Sequence, residues 1–170
     1  MPGDVIRPRR AGDMNACVAI LADVHRTGGY PAHWPADPHH WLTPSRHITA
    51  WVAERDGGVV GHVSLTSADG EAAAEHWSAR TGRPVTDTVA VSRLYVARHA
   101  RGRAVGRRLL DEATAAARDR GRHPVLSVLD HNRNAIALYE KAGWEYLSEA
   151  DLTLPDGRVV LMHCFSAPER

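Results

Sequence analysis

The stretch that most constrains this chain runs from Val89 to Gly106, VAVSRLYVARHARGRAVG. Val89, Val91 and the run Leu94-Tyr95-Val96 carry branched and aromatic side chains with no proline among them, the composition of a central strand. Arg98-His99-Ala100-Arg101-Gly102-Arg103 is too polar to enter a core. From Val105 onward, Leu109, Leu110, Ala113 and Ala117 recur at helical spacing. The order is strand, polar turn, helix. A helix start leaves backbone N–H groups unpaired and carries partial positive charge, so an anion is favoured there. Gly102 and Gly106 let the backbone approach a phosphate closely or adopt positive φ.

Neither Gly-x-x-x-x-Gly-Lys-Ser/Thr nor Gly-x-Gly-x-x-Gly is present, so neither a P-loop nor a dinucleotide-binding turn accounts for the segment. It resembles instead the pyrophosphate loop of the GCN5-related N-acetyltransferases (GNAT), Arg/Gln-x-x-Gly-x-Gly/Ala. Arg101-Gly102-Arg103-Ala104-Val105-Gly106 matches that pattern with one departure, Ala104 where glycine is usual. A second segment, Asn132-Arg133-Asn134-Ala135-Ile136-Ala137-Leu138-Tyr139-Glu140-Lys141-Ala142-Gly143-Trp144, is similar to the family's Asn-x-x-Ala-x-x-Leu-Tyr-x-Lys-x-Gly-Phe signature. The two motifs stand in family order and at family spacing.

The 170 residues suit one domain, 1–170, with a filled core. A formal net charge of +1 gives no general attraction to nucleic acid or acidic membranes, so the arginines between residues 98 and 108 form a local patch. Nucleic-acid binding through Arg98, Arg101, Arg103, Arg107 and Arg108 is a competing reading, disfavoured because Tyr95 is the only aromatic beside the patch. Cys17 and Cys164 lie among apolar residues and read as buried free thiols, as in a reducing cytoplasm. The N-terminus lacks the apolar core of a secretion signal, and no apolar run is long enough to span a bilayer, so no membrane association is expected. His33 and His39-His40 lack a ligand-spaced partner set, so no metal site is expected.

In chain order, Val5-Ile6-Arg7 is a short strand, and Gly12-Asp13 precedes a helix through Met14, Val18, Leu21, Ala22 and His25. Prolines from Pro31 to Pro44 permit at most a short helix. Ile48 to Ala53 and Val59 to Leu65 form a hairpin about Asp56-Gly57-Gly58. From Ser67 to Thr86 the pattern lapses, with a short exposed helix over Glu71 to Arg80, in an interval that family members cross more briefly. Pro124 to Leu129 is a buried strand parallel to the Val89–Val96 strand, because a helix connects them. A helix carrying Tyr139 stops at Gly143, and a closing hairpin runs from Trp144 to Phe165. The resulting class is α/β: a GNAT-like mixed, largely antiparallel sheet flanked by helices, with two splayed central parallel strands.

The resemblance implies acetyl-CoA as acyl donor, its pantetheine arm lying between the splayed strands against the backbone of Leu94, Tyr95 and Val96. Its diphosphate would rest on Arg101, Gly102, Arg103, Ala104, Val105, Gly106 and Arg107. Were φ positive at Ala104, the site would carry about 1 kcal/mol or more of strain. Asn132 corresponds to the family's cofactor-contacting asparagine and serves equally well as a helix cap. Tyr139 matches the family's proton donor to the departing thiolate. A phenol with a pKa near ~10 can protonate a thiolate whose conjugate acid lies near ~8.5, although Tyr139 also suits an interfacial core position. Many relatives carry a glutamate where Ala90 stands here, which leaves Asp87, Glu75, His62, a water chain or an already neutral acceptor to account for the amine proton.

Tyr30, Trp34 and Trp41 lie in a proline- and aromatic-rich loop suited to acceptor recognition, with the Ser67–Thr86 insertion a second candidate. The expected reaction is direct acetyl transfer to a primary amine, of a small molecule rather than a protein terminus or side chain. The alternative is a non-catalytic acyl-CoA-binding module. A homodimer through a sheet edge or the last hairpin is compatible with the resemblance.

Overall fold

The computed structural model describes residues 3–169. Seven strands form one sheet: β1 (Val5–Pro8), β2 (His47–Arg55), β3 (Gly58–Thr66), β4 (Thr88–Val96), β5 (His123–Leu129), β6 (Glu145–Thr153) and β7 (Val159–Ser166), in the order β1-β2-β3-β4-β5-β7-β6. Neighbours run antiparallel except β4 and β5. The sheet is therefore mixed and mostly antiparallel, with one central parallel pair, as the sequence implies. The β2–β3 turn takes positive φ at both Asp56 (51°) and Gly57 (80°), the geometry that twists with the flanking strands.

Helices cover both faces. On one lie α4 (Val105–Asp119) and α5 (Arg133–Lys141); on the other lie α1 (Met14–Gly28), the short α2 (Pro38–Leu42) and α3 (Ala72–Thr81). The apolar spacing seen in the sequence is the buried stripe of α4: Leu109, Leu110, Ala113 and Ala117 are wholly buried. This helix comes so close to the sheet that a Cβ on Gly61 would lie 2.9 Å from Leu109 Cδ1. The α3 segment departs from expectation. It is a docked helix rather than an exposed one, burying Ala73, Ala74 and Trp77 against Ala90, Val125, Leu147 and Cys164. Its three small or aromatic buried positions are too few to stand out in a window that is otherwise polar.

The parallel pair is brief. Thr88, Val89 and Ala90 pair with His123, Pro124 and Val125, and beyond them β4 and β5 have no paired residues. β5 continues on β7 up to Leu129 opposite Met162, while β4 continues on β3 with a bulge: His62 faces Tyr95 and Ser64 faces Ser92. Arg93 and Leu94 thus stand against Val63 alone, with Arg93 at φ +52°. An extra residue bends the strand and reverses its side-chain alternation. Val89 and Val91 point to the α4 face, and without the bulge Tyr95 would follow them. It packs instead with Cys17, Leu21 and Val52 on the α1 face.

Candidate active site between the splayed strands

The divergence of β4 from β5 opens a cavity of about 350 Å³, walled by Val91, Ser92, Arg93 and Leu94 on one side and Ser127, Val128 and Leu129 on the other. It passes through the sheet, since Tyr139 enters from the α5 face and Tyr30 and Trp41 from the α1 face. At the end of β4 the chain turns through Arg98–Ala100 and a loop with Gly102 at φ +84° and Ala104 at φ +60°. No side chain caps α4. Its first intrahelical bond runs from the Arg108 N–H to the Ala104 carbonyl at 3.0 Å, so the preceding amides at Val105, Gly106 and Arg107 have no acceptor within the helix. Gly106 sits between Val96 and Leu138, 3.7 and 3.5 Å from where its Cβ would be. Unpaired amides, exposed arginines and a glycine at the closest approach fit a diphosphate whose attached chain runs down the cleft.

Tyr139 is 6% exposed, packed with Trp144 and Phe165 at 6.0 Å between ring centroids. Burial, with a smaller contribution from the Tyr30 phenol, raises its pKa well above the ordinary tyrosine value, so it stays protonated. Asn132 does both things its sequence position allows: its Oδ1 accepts from the Ala135 N–H at 3.4 Å as a helix cap, and the residue lines the cavity. Tyr95 does not turn its side chain to the cavity. Its hydroxyl donates to the Cys17 carbonyl at 2.9 Å, and its ring stacks on His62 at 5.2 Å.

Of the aromatic loop, Tyr30 and Trp41 line the cavity, their rings 6.0 Å apart edge to face. Trp34 is not among the lining residues; it packs on His25 at 5.4 Å. The loop is tied to the β6–β7 turn, with Arg158 donating to the Ala32 carbonyl at 3.1 Å and His33 lying 3.5 Å from Asp156. Leu152, Leu154 and Pro155 from that hairpin add to the wall of this end of the cavity.

The candidates for the amine proton separate clearly. Glu75 is exposed on α3 and does not line the cavity. Asp87 lies 3.4 Å from Arg83 and is likewise absent from the lining. His62 is wholly buried, with Arg9 Nη1 at 3.0 Å from its Nε2 and the Arg93 carbonyl at 2.8 Å from its Nδ1. A guanidinium only donates, so Nε2 accepts and Nδ1 carries the proton. Burial holds the His62 pKa down at about 3, and the imidazole is a neutral strut under the bulge.

Two charged lining residues were not singled out in the sequence: Glu71, the one carboxylate among the lining residues, which falls in the Ser67–Thr86 insertion, and Arg93. Glu71 begins the inserted helix and pairs with Arg46 at 3.2 Å. Arg93 had a visible signal, a charge interrupting an apolar central strand.

A family model described as the acetyltransferase (GNAT) family matches residues 16–144. The chain belongs to this family. It is accordingly an acetyl-CoA-dependent N-acetyltransferase. The acetyltransferase resembles solved structures over almost its whole length. A ribosomal-protein-alanine N-acetyltransferase from Brucella melitensis is 27% identical, with a TM-score of 0.70 over 95% of this chain and 98% of that one. Arabidopsis thaliana NAA60 in complex with acetyl-CoA shares the fold at 19% identity and a TM-score of 0.73, covering 96% and 97%. So does yncA, a putative acetyltransferase from Salmonella typhimurium with its cofactor acetyl-CoA, at 22% identity and 0.70, covering 97% and 93%. A search of curated proteins finds no match. No helix among the described residues is long and apolar enough to cross a membrane.

Proposed function

We propose that this acetyltransferase acetylates a primary amine on a small molecule, by direct transfer and without an acyl-enzyme. The observation that carries the reading is the cavity through the sheet, with a buried phenol at the strand gap and an aromatic acceptor end. The tie between the Tyr30–Pro35 loop and the last hairpin holds the aromatic wall over the cavity, which favours a small acceptor. Direct transfer follows from the thiols: Cys17 and Cys164 are wholly buried and absent from the cavity wall, and burial raises both thiol pKa values, that of Cys17 to about 11.

The residues divide the work by position. The amides and arginines from Arg101 to Arg107 hold the diphosphate, and the free edge of β4 from Ser92 to Val96 offers backbone groups to the pantetheine arm in the manner of an added strand. Bound acetyl-CoA supplies an activated thioester. An N–H of the Ser92–Val96 run, where the bulge interrupts the pairing with β3, meets the negative charge that develops on the acyl oxygen. Tyr139 holds the proton that the departing thiolate takes. Glu71 receives the amine proton, directly or through water.

Initial rates with acetyl-CoA and a small amine varied together are expected to give intersecting lines; parallel lines would indicate an acyl-enzyme and overturn direct transfer. Tyr139→Phe is expected to lower kcat by about 100-fold with acetyl-CoA affinity retained.

A further inference from the structure

We propose that the acceptor carries an oxyanion, a carboxylate or a phosphonate, beside its amine, and that Arg93 binds it. The inference rests on the small-amine reading above and names the substrate class. Arg93 projects from the bulge into the acceptor end of the cavity. Its Nε donates to the Trp41 carbonyl at 2.7 Å, and its guanidinium lies 4.5 Å above the Trp41 ring centre. These two contacts fix the plane of the group and leave both terminal nitrogens without a hydrogen-bond partner among the described residues. No carboxylate of those residues comes within 4.0 Å of it. The nearby acidic group, Glu71, is engaged by Arg46 instead.

A partly buried guanidinium with no ion-pair partner in contact is costly; burial, and to a lesser extent Arg46, lowers its affinity for its proton, and Tyr30 and Glu71 offset this only in part. It also sits at φ +52°, a backbone conformation that a non-glycine residue adopts only under constraint. Such a group is completed by an anion that brings two acceptor oxygens to the planar fork. The donor does not provide one, because the negative charges of acetyl-CoA are all on its phosphates, which the Arg101–Arg107 turn accommodates. The acceptor must therefore bring it.

The neighbouring groups fit a zwitterion or amino acid better than a polyamine. A dication at this end would meet the unpaired charge of Arg93. A peptide N-terminus brings a neutral amide where the oxyanion would be.

The test is a matched acceptor panel with acetyl-CoA: α- and ω-amino carboxylates, aminoalkylphosphonates, the corresponding amino amides, diamines and short peptides. It is run on wild type, Arg93→Gln and Arg93→Lys, with acetyl-CoA binding measured by calorimetry on each. An amino carboxylate or aminophosphonate is expected to exceed its neutral counterpart in kcat/KM, and comparison of the two sets tells which oxyanion is preferred. In Arg93→Gln that preference is expected to fall by about 10- to 100-fold, mainly through KM, with acetyl-CoA affinity unchanged and partial rescue in Arg93→Lys. Equal or better turnover of amides, diamines or peptides, or a preference unaltered in Arg93→Gln, would overturn the proposal. Anionic amines that raise the Tm of wild type but not of Arg93→Gln, with no acetyl transfer to any amine, would uphold the anion site and overturn the small-amine acetylation reading.

Discussion

At the scale of single residues, His62 ties stability to pH. Its folded-state pKa of about 3 lies below the ordinary histidine value of 6.5. The unfolded chain therefore takes up a proton below about pH 6.5 that the folded chain refuses, and stability is lost as pH falls through that window toward 3. Between pH 7 and pH 5 the loss from this residue alone is about 2 kcal/mol. His47 and His123, whose pKa values burial also lowers, steepen the same slope. Urea unfolding at pH 7 and pH 5 is expected to show a smaller loss in His62→Gln than in wild type by about that amount; equal losses would mean that His62 is protonated in the fold. The variant is also expected to lose activity, since the imidazole links Arg9, itself bonded to Leu42 and Thr43, to the carbonyl of Arg93 in the bulge.

At the scale of elements, two glycine-dependent sites carry opposite predictions. Gly61→Ala pushes a Cβ into Leu109 at 2.9 Å and to 3.4 Å from the Tyr95 carbonyl. Leu109 is wholly buried and must shift to make room, so a loss of about 1–3 kcal/mol is expected by thermal or chemical unfolding. Ala104→Gly goes the other way. At φ +60° the alanine is strained by about 1–2 kcal/mol, and relief less the added chain entropy is expected to stabilise by up to about 1 kcal/mol. Acetyl-CoA affinity should be equal or higher. A destabilised Ala104→Gly variant would contradict the left-handed conformation of that turn.

At the scale of the whole molecule, what was legible in the sequence and what was not divide along physical lines. Every strand of the sheet announced itself by apolar alternation or by a compact apolar run, and the β4–turn–α4 unit by its change of period. The parallel course of β4 and β5 followed from the connecting helix, while their short register, Thr88–Ala90 against His123–Val125, did not. The bulge did not show, because one extra residue in a strand leaves no compositional mark; with it went the orientation of Tyr95 and the exposure of Arg93 to the cavity. The α3 helix read as exposed because Trp77 and two alanines carry its whole buried face. Trp34 and Trp41 are alike in sequence terms, and only tertiary packing sends one to His25 and the other to the cavity.

In the proposed function the turn after β4 and the gap beside it receive acetyl-CoA. The most direct measurement is calorimetric titration of acetyl-CoA, CoA and a CoA analogue lacking the 3′-phosphate into wild type and Gly106→Trp. A side chain at Gly106 would fill the space between Val96 and Leu138. Binding in the micromolar range to folded wild type, lost in the variant, is the predicted result. Absence of binding by folded wild type, or undiminished binding by Gly106→Trp, would contradict the placement of the donor in this cleft.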